Sequence, residues 1–139
     1  MTLAFVDTGA WVALSDNTDA DHRKALAFYR GLPRGTRLVT TNYVVAETYT
    51  WLRYRSSHRH ALGFHTLLAA AVKRQVTRIE WITPDVHEAG WLIFARYEDQ
   101  ILSMTDCTSA VVAREQRADY IFAFDSDFSI LGFDVRPGP

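Results

Sequence analysis

The sequence predicts an α/β protein: a parallel sheet of about five strands covered by helices on both faces. Three observations carry this. Short apolar runs alternate with stretches of helical period along the chain. Two of the runs, Leu3–Asp7 (LAFVD) and Tyr120–Phe124 (YIFAF, with Asp125 next), are continuous rather than alternating, as in strands buried on both faces. No repeat, linker or low-complexity tract interrupts the pattern, so residues 1–139 are expected to form one domain.

Each element has its own signal. Leu3–Asp7 is the first strand, followed by a short helix over Gly9–Leu14. Asp21–Leu32 is a longer helix with Ala25, Phe28, Tyr29 and Leu32 on one face, broken by Pro-Arg-Gly at 33–35. Arg37–Thr40 is the second strand. Thr41 and Asn42 can cap a helix over Tyr43–Tyr54. Ser56-Ser57 punctuates before a helix over His58–Lys73. Thr77–Thr83 alternates and is rich in β-formers, which gives a third strand. Thr83-Pro84 starts a helix running to about Tyr97, with proline at its first position. Thr105 is positioned to cap Asp106–Arg117. Tyr120–Phe124 is the fourth strand, and Phe133–Arg136 a short fifth before the Pro-Gly-Pro tail.

Composition narrows the function classes. The single cysteine, Cys107, excludes an internal disulfide framework and a cysteine-rich zinc site, and reads as a small core residue. The longest apolar run, Leu67–Val72, is far short of a membrane span, and the N-terminus has no basic region of a signal peptide. A cytoplasmic setting with no membrane partner is expected. The net charge of −1 hides an asymmetry. Residues 1–22 hold four acids and no Lys or Arg, residues 23–78 carry a net +10, and residues 79–139 a net −7. Thirteen of the fifteen bases are Arg, which suits bidentate contact with phosphate. Two readings fit: basic and acidic faces of one domain attracting each other, or a polyanion-binding face beside an acidic site.

The acids form a candidate constellation. Asp7 ends the first strand and Asp125 the fourth, with Asp127 two residues on. In doubly wound sheets ligands sit beyond the carboxyl ends of the strands, where the strand order reverses. Glu47 shares a helix face with Tyr43, Val44 and Trp51, and Asp106 lies in the first turn of its helix. Each has an ordinary structural explanation: a helix-end charge for Asp106, a turn for Asp125 and Asp127, a satisfied half-buried acid for Glu47. Together they are harder to dismiss, because the apolar positions around them offer no base. Two carboxylates about 5 Å apart at an effective dielectric of about 20 repel by roughly 3 kcal/mol. A divalent cation is the usual remedy, and oxygen-only ligands point to Mg²⁺ or Mn²⁺ rather than zinc.

On these residues the sequence resembles the PIN-domain ribonucleases and, among them, the VapC-like toxins of bacterial toxin–antitoxin pairs. The matching residues are Val6-Asp7-Thr8-Gly9-Ala10 with Ala13-Leu14, Asp21-His22 with Ala25, Thr41-Asn42 through Glu47, Leu102-Ser103-Met104-Thr105-Asp106, and Phe124-Asp125-Ser126-Asp127-Phe128. They stand in the family's order over nearly the whole chain. The resemblance implies a three-layer α/β/α fold with sheet order 3-2-1-4-5. It also implies an acidic Mg²⁺/Mn²⁺ site and endoribonuclease activity restrained by a small antitoxin protein. The family's first three acids map onto Asp7, Glu47 and Asp106, and the fourth onto Asp125, with Asp127 a second candidate. Ala123 departs from the pattern, since many relatives carry Thr there.

The chemistry expected of such a site is phosphodiester hydrolysis, with Asp7, Glu47, Asp106, Asp125 and Asp127 as metal ligands. Thr8 is placed to donate a hydroxyl to phosphate, or equally to cap the following helix. Arg53, Arg55 and Arg59 in the basic stretch are expected to hold the RNA backbone. Unpaired loops are the expected target, since their bases can splay out and stack on aromatics. A homodimer is expected from the 18 aromatics, enough for an interface as well as a core, although Trp51 and Tyr54 are assigned to core packing. His58, His60 and His65 read as a solvated helix surface. Rivals fare worse. Asp7-Thr8-Gly9 is also an aspartic-protease signature, but those proteins are β-rich. Receiver domains need a late lysine, and the only lysines are Lys24 and Lys73. Haloacid-type phosphatases need D-x-D at the first strand. The remaining alternatives are a PIN-fold RNA-processing nuclease that is no toxin, and a silent RNA- or protein-binding module.

Overall fold

All five expected strands enter one sheet. In the computed structural model, which describes residues 1–139, the order of elements is β1 (Leu3–Val6), α1 (Thr8–Ser15), α2 (His22–Arg30), β2 (Arg37–Thr41), α3 (Asn42–Arg55), α4 (His58–Lys73), β3 (Thr77–Glu80), α5 (Pro84–Arg96), α6 (Met104–Glu115), β4 (Tyr120–Ala123), α7 (Asp127–Ile130) and β5 (Val135–Pro137). The strands are all parallel in the order β3-β2-β1-β4-β5. Phe5 pairs with Val39 on one side and Ile121 on the other, so an entirely apolar strand is central. The chain winds outward from β1 to β3 and then crosses back to β4. Right-handed crossovers in opposite directions place their helices on opposite faces. Accordingly α1 packs on α2, α3 and α4, while α5 and α6 pack on each other.

The core between sheet and helices is built on Phe5, Trp11, Phe64, Phe122 and Phe128, all essentially inaccessible. Trp11 lies against Phe64 with ring centroids 5.6 Å apart, and its indole N–H donates to Thr40 Oγ1 (3.3 Å). That hydroxyl donates in turn to the Val6 carbonyl (3.1 Å), so the buried indole N–H and the Thr40 hydroxyl are both satisfied.

Local chemistry accounts for the departures from the sequence reading. The third strand stops at Glu80 rather than Thr83. The Ile82 N–H leaves the ladder for Asn42 Oδ1 (2.7 Å), Trp81 is turned outward at 73% exposure, and Thr83 is taken up as the cap of α5. Thr41 caps α3 as expected, through Val44 N (3.1 Å). The cap of α6 is Ser103, not Thr105. The segment after Asp125, read as a turn, continues into one turn of helix over Asp127–Ile130. The fifth strand starts two residues later than expected and ends one later, at Val135–Pro137.

The seat of α6 depends on Gly90. A Cβ there would lie 2.6 Å from Thr108 Cγ2 and 3.1 Å from the Thr108 backbone nitrogen. The Gly90→Ala substitution is therefore expected to destabilise the fold by about 1–3 kcal/mol, despite alanine's better helix propensity. A lowered urea midpoint at unchanged slope is the check.

Candidate active site

The strand order reverses between β1 and β4, and the crevice beyond their carboxyl ends is where the acids meet. The Asp7 backbone is consumed locally. Its N–H donates to the Phe122 carbonyl (3.1 Å), and its own carbonyl accepts from Ala10 and Trp11 to start α1. Its side chain makes no capping bond, is only 5% exposed and has no cationic partner. Burial first, then the charges of Asp106 and Asp125 and, more weakly, Glu47, push its pKa well above the carboxylate range; the Thr8 backbone N–H opposes them.

Asp106 stands in the first turn of α6 as half of a capping box. Its N–H donates to Ser103 Oγ (3.0 Å) while its Oδ2 accepts from Ser103 N (3.0 Å). Burial, with repulsion from Glu47 and Asp127, still outweighs these bonds and raises its pKa to about 6. Glu47 comes from the middle of α3, half-buried. Asp125 follows β4 and is exposed, with Oδ1 accepting from Asp127 N (3.1 Å). Asp127 opens α7, its pKa raised by burial and by Asp125.

These five carboxylates line one cleft of about 500 Å³, together with Thr8, Ser103, Asp19 and Asp21. Both candidates for the fourth acid, Asp125 and Asp127, reach it. Asp19 and Asp21 were absent from the sequence-derived set. They lie in the loop before α2, where Asp21 N donates to Asp19 Oδ1 (2.9 Å), and their only signal was the stretch of 22 residues bearing acids and no Lys or Arg. Seven carboxylates thus face one space that no Lys or Arg lines. As placed, no three of them gather closely enough to hold one ion. Backbone N–H groups engage Asp106 at Ser103, Asp125 at Asp127 and Asp19 at Asp21. The donor set itself fits a hard divalent cation: oxygen throughout, uncompensated, with the Thr8 hydroxyl buried at the wall and lacking any partner.

The arginines are not part of this cleft. Arg53 and Arg59 are exposed at the end of α3 and the start of α4, and Arg55 lines an adjoining groove along α3. Two further expectations change. His60 is not a solvated surface residue: its Nδ1 lies 2.7 Å from Ser56 Oγ and 3.5 Å from Asp16 Oδ1, tying α4 to the end of α1. Burial works against charge on Asp16, but bonds from Thr18 and Ser56 and the nearby His60 outweigh it and hold that carboxyl below its usual range. Tyr54, assigned to the core, is 84% exposed, while Trp51 is half-buried and packs at the core margin. Cys107 is buried in a small cluster with Leu102, Ala110 and Leu131, and burial followed by the charge of Asp106 lifts its thiol to about 11, as an inert core residue requires.

Comparison with known proteins agrees with this geometry. The PIN domain profile matches residues 4–134. The chain is 37% identical over 137 residues to the 23S rRNA-specific endonuclease VapC20 of Mycobacterium tuberculosis, covering 97% of this chain and 99% of that protein. It is 30% identical over 130 residues to the VapC ribonuclease of Archaeoglobus fulgidus, covering 91% and 80% respectively. The crystal structure of M. tuberculosis VapC20, described as a Sarcin-Ricin loop cleaving toxin, superposes with a TM-score of 0.81 at 35% identity, over 96% of this chain and 97% of that one. With the sheet order, the acids beyond β1 and β4, and these matches in agreement, the chain belongs to the PIN domain family.

Proposed function

We propose that the chain is a Mg²⁺- or Mn²⁺-dependent endoribonuclease, the toxin of a toxin–antitoxin pair, working in the cytoplasm as a single-domain protein that forms a homodimer and is restrained by a small antitoxin. The observation that carries the catalytic reading is the cleft of seven carboxylates without a cationic side chain, in a chain similar to the VapC20 endonuclease over 99% of that protein and to a VapC ribonuclease over 80%.

Asp7, Glu47, Asp106 and Asp125, with Asp127 beside them, are the residues that would hold the ion. Bound there, it supplies a Lewis acid that acidifies water and offsets charge on the phosphoryl oxygens. The protein's own groups do the rest. Water adds to phosphorus, one bridging P–O bond breaks, and the departing oxygen takes up a proton. The proton that the water loses passes to a carboxylate of the cleft. The Thr8 hydroxyl, unpartnered at the wall, donates to a phosphate oxygen. Arg53, Arg55 and Arg59 hold the backbone outside the cleft and make affinity fall with salt. The match to VapC20 favours 23S rRNA as the substrate.

The test is direct. The purified chain, incubated with 23S rRNA in Mn²⁺, is expected to produce discrete cleavage that EDTA stops. Intact rRNA in Mn²⁺ at high enzyme concentration would contradict the proposal.

A further inference from the structure

A groove of about 660 Å³ runs from the acidic cleft along one face of α3. Tyr43, Glu47, Trp51 and Tyr54 recur at helical spacing along it, Arg55 closes its far end, and Thr105 forms the opposite wall. Glu47 and Trp51 line both spaces, so groove and cleft adjoin. We propose that this groove is a nucleobase-stacking subsite, in which an unpaired base next to the phosphate in the acidic cleft stacks on Trp51 and Tyr54 while Arg55 meets the following phosphate. The inference rests on the ribonuclease reading for which strand is bound, and adds where its bases lie.

The Tyr54 ring is open to solvent, and half-buried Trp51 turns part of its surface into the groove. No ring pairs with Trp51 or Tyr54, although most other aromatics of the chain are paired. Tyr54 is the most exposed aromatic residue of the chain. Tyr43, by contrast, is fixed at the near end by a 2.9 Å hydrogen bond between its hydroxyl and His87 Nδ1, so the groove has one rigid and one open end. Charge complementarity selects a polyanion. No Asp or Glu lies between Glu47 and Glu80, and Arg53, Arg55 and Arg59 enter no ion pair. Arg59 and His58 also stand in the first turn of α4, where positive charge is disfavoured by the helix itself. Distance fits as well: from Glu47 to Tyr54 is seven residues of helix, about 10 Å, the reach of a nucleotide or two. A π-face beside a guanidinium takes any base, which makes this a positioning surface rather than a reader of sequence.

The test reads binding, not cleavage. The probe is a riboadenosine hexamer at low salt in Ca²⁺, which oxygen ligands also accept, with an abasic ribose-phosphate hexamer as control. Binding is followed by anisotropy of the labelled strand and by tryptophan quenching, with Trp51→Phe identifying the Trp51 contribution. The wild type is expected to bind the hexamer with quenching of Trp51. Tyr54→Ala should raise Kd about tenfold, Tyr54→Phe should leave it within about twofold, and the abasic strand should bind all three proteins alike. Unchanged Kd in Tyr54→Ala would overturn the proposal, as would an equal loss on the abasic strand. A variant altered only in sedimentation, and not in RNA affinity, would assign the groove to a protein contact and overturn it too. Since no cutting is read, a chain that binds in this way but leaves rRNA intact would refute the nuclease reading alone.

Discussion

Asp7→Asn is expected to lower RNA cleavage by at least about a hundredfold while leaving the fold intact. Even changes to the outer partners of a metal ligand cost about 10- to 100-fold, and Asp7 is the innermost of the seven carboxylates. The substitution keeps shape and volume and removes one buried negative charge, so the far-ultraviolet spectrum should be unchanged and the melting temperature in EDTA should rise. Rates measured on 23S rRNA in Mn²⁺, with circular dichroism alongside, decide the matter. A variant that cuts at the wild-type rate shows that Asp7 has no catalytic part.

The second large effect is a coupling of stability to pH in the metal-free protein. Asp7 and Asp106 have folded-state pKa values above those of an unfolded chain, Asp106 at about 6 against 3.8. A raised pKa means the folded state favours the protonated form. Their contribution to stability is therefore present at low pH and lost as pH rises through the folded values. Acidifying from pH 7 to 5 should recover about 1 kcal/mol from Asp106 alone, some 3–4 °C in Tm, with Asp7 adding to it. Asp16 runs the other way, because its lowered pKa gives stability that is lost only on further acidification, below the usual carboxylate range. A melting series from pH 7 to 5 in EDTA should show the rise. A flat or falling Tm would mean that the cleft carries no such strain.

Much of this molecule was legible before its structure, and the exceptions have physical causes. Continuous apolar runs such as LAFV and YIFA have few alternatives to a buried parallel strand, and the acids that end them fall at the crevice by topology alone. Glu47 and Asp106 were reachable by helical spacing and by the first-turn position. Asp19 and Asp21 were not, because they sit in a loop, and a loop has no periodicity to say which way a side chain faces. The end of β3 depended on Asn42, forty residues away, taking the Ile82 N–H. Tyr54 shares the face of Glu47 and Trp51, and periodicity assigns such a face to the core. It could not show that the neighbouring helix leaves the last turn of α3 uncovered. His60 lies on a basic helix that reads as solvated, yet its ring meets Asp16 from a distant segment.

The most direct test of the central claim, that these carboxylates hold a divalent ion for phosphodiester hydrolysis, is the melting temperature of wild type and Asp7→Asn at neutral pH, each in EDTA and in excess Mn²⁺. Binding at about 100 times Kd stabilises by about 2.7 kcal/mol, which is roughly 8–10 °C for a domain of this size. The wild type is expected to gain that much, and Asp7→Asn to start higher in EDTA and gain less than half of it. An equal Mn²⁺ shift in the two proteins would contradict the account, since the ion would then be bound without Asp7.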